Sequence, residues 1–171
     1  MDDKELEKLT TAILSWEEGI SHLGHCIVEF QRIEKVLASC ITGLAGAEQD
    51  IGKILTSEMS YRAKVSIYRS LFFYRWSNDE LPEDITQLIG RLHWAEQERN
   101  TLVHSLWDAS EEHPEYIKRG KTVCRKSGLN TQEEYYTPED LDELSRLYEG
   151  ISTDLIYLTE LHLKDVEIHF T

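Results

Sequence analysis

Cysteine, proline and glycine are scarce in this sequence, and each scarcity argues against a class of protein. The chain has only three cysteines in 171 residues, Cys26, Cys40 and Cys124. An odd, widely spaced set without a CxxC pair argues against a disulfide scaffold or a cysteine zinc site, and makes a reducing cytoplasm the expected compartment. Three prolines and nine glycines leave room for long helices. No run approaches the roughly 20 uninterrupted apolar residues that a bilayer span needs, so no membrane is expected. The opening MDDKELEKL lacks a positive segment followed by an apolar one, so no secretory signal is expected. Basic residues are few as well: 18 Lys and Arg against 32 Asp and Glu, a net charge of −14. Such a chain repels polyanions overall, which weighs against broad nucleic-acid binding but leaves room for a small, locally basic site.

What is present is ordinary folding material, 40% hydrophobic and 29% charged, with no long polar tract. The length suits one domain, residues 1–171. The first half carries Leu6, Leu9, Ile13, Trp16, Ile20, Leu23, Ile27, Phe30, Glu34, Leu37, Ile41 and Leu44 at alternating steps of three and four, the stripe of a helix in a bundle seam. Gly19 and Gly24 can divide this run into two helices, and Gly43 and Gly46 supply a stop. A second helix is expected over 57–76, capped by Ser57, with Tyr61, Val65, Tyr68 and Phe72 on one face. Pro82 suits the first turn of a third, whose stripe Ile85, Leu88, Leu92, Ala95, Arg99, Leu102 and Leu106 runs to about Leu106. The helical period disappears over 108–136, where Tyr116–Val123 reads as a small β-hairpin or ordered loop. Thr137-Pro138-Glu139-Asp140 then opens a last helix, with Leu141, Leu144, Tyr148, Ile151, Leu155, Leu158 and His162 on one stripe. The expected class is all-α: a four- to five-helix bundle with a hairpin or loop insertion at about 108–136.

Two stripes each carry a charge where an apolar residue is expected, Glu34 and Arg99. An inward charge needs a partner or a wet cavity, and these two could supply each other. Alternatively Ile33 takes the inward position and Glu34 lies at the boundary. Beyond the Arg, His93, Gln97, Asn100 and His104 share one helical face at steps of four, three and four, either a polar stripe lining a cleft or a solvated face. Trp94 and Trp107 read as packing residues first and base-stacking platforms second.

Arg99-Asn100-Thr101-Leu102-Val103-His104 resembles the R-x4–6-H motif of HEPN domains, with the polar residue that often follows the Arg, near the end of a long helix that Trp107 closes. Only these six residues are motif-specific. The resemblance implies a HEPN-like helical fold and, in family members that are ribonucleases, RNA cleavage without a metal or cofactor. His104 would then be the general acid/base, Arg99 the phosphate clamp, and Asn100 the residue orienting one of them, with Glu34, His93 and Trp107 in support. On a regular helix, five residues place Arg99 and His104 roughly 140° apart. A two-fold homodimer, in which HEPN domains commonly pair, would let a second copy complete the site.

Within Tyr116–Lys126, Lys118, Arg119, Lys121, Arg125 and Lys126 stand without an acidic residue. They form the one plausible contact to an RNA backbone, or else a solvated hairpin whose lysines guard an edge. Other chemistries fare worse: HExxH, Glu-x-x-His, GxxxxGK[ST], GxGxxG and GxSxG are all missing. Two functions remain. One is a metal-independent endoribonuclease acting on single-stranded RNA, in a toxin–antitoxin or phage-defence setting with an antitoxin or other protein partner. The alternative is a non-catalytic helical dimer that binds a protein or nucleotide partner.

Overall fold

The long apolar stripe folds as a single helix, α1 (Asp3–Ala45), and neither of its first two glycines breaks it. A computed structural model of the chain describes residues 2–125, 128–166 and 168. At Gly19 a Cβ would lie 2.8 Å from the Cδ1 of Ile117, a fully buried strand residue. Glycine therefore lets the strand seat directly on the helix, and the burial of Ile117 offsets the roughly 1 kcal/mol that a mid-helix glycine costs. The helix ends in a Schellman turn. Gly46 takes φ +63°, its N–H donates to Gly43 O at 3.0 Å, and Ala47 N–H donates to Thr42 O at 3.1 Å.

An unexpected short helix, α2 (Gln49–Ser57), precedes the helix expected over 57–76, which is α3 (Tyr61–Trp76). The cap is Ser60 and not Ser57. Ser60 Oγ accepts from Ala63 N–H at 3.3 Å, whereas the Ser57 hydroxyl turns back to Ile54 O. Pro82 directly precedes α4 (Glu83–Val103), which stops short of Leu106. That leucine instead opens a strand.

The chain is mostly helical, as expected, and the insertion between α4 and the last helix is a sheet larger than a hairpin. Its three antiparallel strands are β1 (Leu106–Ala109), β2 (Ile117–Arg125) and β3 (Gly128–Tyr136), in the order β1-β2-β3. Tyr116–Val123 is therefore no hairpin by itself: its strand part pairs with the segment beyond, Ile117 opposite Tyr136 and Arg119 opposite Glu134. The last helix, α5 (Pro138–His162), begins as expected, with a reciprocal cap. Asp140 N–H donates to Thr137 Oγ1 at 3.1 Å, and Thr137 N–H donates to Asp140 Oδ2 at 2.8 Å. No helix among the described residues is long and apolar enough to cross a membrane.

The chain divides into two compact units, Met1–Val28 with Arg99–Arg146, and Glu29–Glu98 with Leu147–Thr171. In the first, the sheet packs on α1 at Gly19, and Cys26 Sγ donates to Leu141 O at 3.2 Å. The second is a helical bundle. Its core joins Phe30 to Tyr61 (ring centroids 4.8 Å apart), Tyr68 to Thr159 (hydroxyls 2.9 Å apart) and Tyr61 OH to Leu92 O (3.1 Å).

At one edge of this bundle His162 Nε2 stands 2.9 and 3.0 Å from the two carboxylate oxygens of Asp84, with the Trp76 ring edge-on at 5.2 Å. Burial alone would raise the Asp84 pKa. The bond and charge of His162 and the Ile85 N–H more than reverse this and leave it below the ordinary carboxylate value. A carboxyl depressed in the folded state adds stability above its unfolded pKa, roughly 3.9, and loses it as pH falls through the folded value. Asp84→Asn should therefore lower Tm near neutral pH, with the gap to wild type closing below about pH 4. Thermal melts across pH test this; a gap that stayed constant would count against the pair.

Candidate functional site

A helix end must satisfy its last four carbonyls, and here the residues after α4 do much of that work. His104 N–H donates to Asn100 O at 3.1 Å, Ser105 Oγ to Thr101 O at 2.6 Å and Trp107 Nε1 to Leu102 O at 2.9 Å. Trp107 thus closes the helix end by hydrogen bonding from β1, and its ring lies 5.5 Å from that of Tyr136 on β3. Base stacking is not what holds it there.

On this clamped turn Arg99 Nη1 donates to Asn100 Oδ1 at 3.0 Å, and both side chains are half-buried. The amide oxygen fixes one edge of the guanidinium and narrows its rotamers. His104 follows one turn after Asn100 with its side chain exposed. The geometry offers an oriented guanidinium, a group suited to paired hydrogen bonds to a phosphate, and, around the helix from it, an imidazole open to solvent. Arg99, Asn100, His104 and Trp107 all belong to the first compact unit.

No family model, curated protein or solved structure matches this chain. The functional reading is therefore carried by the residues themselves.

Two of the expected supporting residues, Glu34 and His93, belong to the second unit. Glu34 does not take the inward position on α1. Ile33 is fully buried, and Glu34 sits at the boundary, accepting from Lys64 Nζ at 2.6 Å. A lysine on α3, itself only 7% exposed, thus pairs with the charge in the first stripe. Its neighbours Tyr61 and Val65 stand on the buried face of α3, which is the one signal in the sequence that Lys64 points inward. His93 is exposed on α4, and Trp94 packs edge-on against Tyr148 with centroids 6.1 Å apart.

The basic hairpin is partly neutralised. Lys118 Nζ lies 3.6 Å from Glu133 Oε1, and Arg119 Nη2 lies 3.1 Å from Glu134 Oε1. Arg119 is 4% exposed, on the face of the sheet shared with Ile117 and Trp107, which corrects its expected place on an RNA-facing surface. Strand alternation explains the burial: 117, 119 and 121 share a face, and Ile117 anchors that face on α1. Lys121 is exposed, Arg125 ends β2, and Lys126 lies outside the described residues.

Burial pushes the thiols of Cys26 and Cys40 up to about 12, so neither supplies a thiolate nucleophile near neutral pH.

Proposed function

We propose that this chain is a HEPN-type, metal-independent endoribonuclease that works as a homodimer on single-stranded RNA. The observation that supports this reading is the Arg99–Asn100 hydrogen bond on a clamped helix end, followed one turn after Asn100 by the exposed imidazole of His104. Arg99 binds the scissile phosphate through two parallel N–H···O bonds, and Asn100 holds its plane. His104 accepts the proton of the ribose 2′-hydroxyl as that oxygen attacks phosphorus, or returns one to the departing 5′-oxygen. The P–O5′ bond breaks, leaving a 2′,3′-cyclic phosphate and a 5′-hydroxyl. DNA, without the 2′-hydroxyl, is left intact. A second copy related by a two-fold axis supplies the histidine or arginine that one helix, with these groups roughly 140° apart, does not bring together. Such an activity suits a toxin or phage-defence protein restrained by a partner.

The purified chain should cut single-stranded RNA in EDTA. A folded dimer that cuts no RNA under any condition removes the reading. On the hairpin, Lys121→Ala should weaken RNA binding and flatten its salt dependence by about one unit of slope, whereas Arg119→Met should leave both unchanged. Filter binding across a salt series separates the two.

The ion pairs of Lys118 and Arg119, with the −14 net charge, favour the second reading, a non-catalytic helical module for a protein or nucleotide partner. Under it His104→Ala changes partner affinity and stability but no turnover.

A further inference from the structure

The apolar stripe of α1 faces two ways. From Leu37 onward it is buried, but its beginning is not: Leu6, Leu9 and Ile13 are 50%, 50% and 48% exposed. The side of α1 that packs within its own unit carries small residues one heptad apart, Ala12, Gly19 and Cys26, all buried. Leu6, Leu9, Ile13, Trp16, Ile20, Leu23 and Ile27 keep strict heptad spacing beside them, with Leu or Ile at every position but one. A seam sustained over about three heptads is the pattern of a helix that packs on another helix.

Along the exposed end of this seam runs a groove of about 740 Å³. Leu9, Ala12 and Ile13 form one wall, with Ala109 and Tyr135 of the sheet among the apolar residues lining it. Glu5, Asp108, Glu111, Glu112 and Glu133 stand around it against only Lys8 and Lys118, and Lys118 already faces Glu133. The lining is apolar in part and acidic in balance.

We propose that this groove and the adjoining seam dock a basic amphipathic helix of a partner protein. Heptad spacing specifies a helix, and the carboxylates specify its sign. A second copy of α1 would bring Asp3, Glu5 and Glu7, against Lys4 and Lys8, to a surface that is already acidic. An anionic lipid surface meets the same repulsion. Neither Arg99 nor His104 lines the groove, and the inference does not depend on catalysis.

The test uses the full chain and a synthetic peptide of about three heptads, with leucine at the seam positions and lysine elsewhere. One control keeps the composition and scrambles the seam; another replaces lysine by glutamate. Calorimetry should show the ordered lysine peptide binding at least about tenfold tighter than either control. The pair Leu9→Ser and Ile13→Ser should weaken it by a similar factor, since both side chains are half-exposed and their loss spares the core. Glu111→Gln with Glu112→Gln should weaken binding and reduce its salt dependence, and serves as the deciding variant if the serine pair loses helicity. Equal binding of ordered and scrambled peptides, no binding at all, or a seam-dependent dimer of the wild type that excludes the peptide would each overturn the proposal.

Discussion

Replacing Arg99 or His104 with alanine is expected to lower RNA cleavage by roughly 10²–10⁴-fold while the helical circular dichroism signal survives. His104 is exposed and at the end of its helix, so its side chain carries little of the core. Its backbone N–H, which caps Asn100 O, remains after truncation. The loss should therefore appear in turnover and not in Tm. Arg99→Lys should recover only a small part of the activity, because an ammonium cannot make the paired, planar contact of a guanidinium. Asn100→Ala acts through Arg99 and should cost less than removing the guanidinium itself. Mixing the Arg99→Ala and His104→Ala chains gives a sharper result if the site is shared: heterodimers would rebuild one intact pair and restore part of the activity. Single-turnover assays on labelled RNA measure all of these. Full activity in either alanine variant would end the ribonuclease reading.

The second large effect is one of stability, and its sign is the point of interest. In an exposed helix Gly→Ala stabilises by up to about 1 kcal/mol. At Gly52 of α2 it should do the opposite, because a Cβ there would overlap the Thr42 side chain of α1, lying 2.7 Å from its Cβ and closer still to its branches. Overpacking of this kind costs about 1–3 kcal/mol, and a position this tight belongs at the upper end, a fall in Tm of roughly 6–12 °C. Thr42→Ala removes the two nearest atoms and should return part of that loss in the double variant. Gly24 and Gly90 have nothing within 4 Å of such a Cβ, and alanine at either should be neutral or mildly stabilising. A stabilising Gly52→Ala would mean that α2 does not sit on α1 in this way.

Local chemistry was readable wherever its partners lay nearby in the chain. Thr137 and Asp140 are three residues apart, and their reciprocal cap follows from that spacing alone. The buried face of α3, Tyr61, Val65, Tyr68 and Phe72, and the stripe from Ile85 to Ala95 needed only the helical period. The Arg99–Asn100 contact joins adjacent residues. What the sequence hid depended on distant partners. Periodicity could not choose between Ile33 and Glu34, because the deciding group, Lys64, sits thirty residues away on another helix. Polar Gln132, Glu133 and Glu134 conceal a strand whose reason is its pairing with β2. Gly19 looked like a helix breaker because the sequence does not show Ile117 pressing against it. The seam of α1 showed that a partner was wanted and not that its first turns would stay uncovered.

Only His104 and Ser105 separate the end of α4 from the start of β1. Helical hydrogen bonding fixes the first side of this joint, and the pairing of Leu106 with Gly120 fixes the other. One extra codon here would swap the faces of the strand, sending Trp107 away from Tyr136 and uncapping Leu102. Residues at this junction can therefore be exchanged one for another, whereas a single insertion or deletion should cost the cap on Leu102 and the Trp107–Tyr136 contact together.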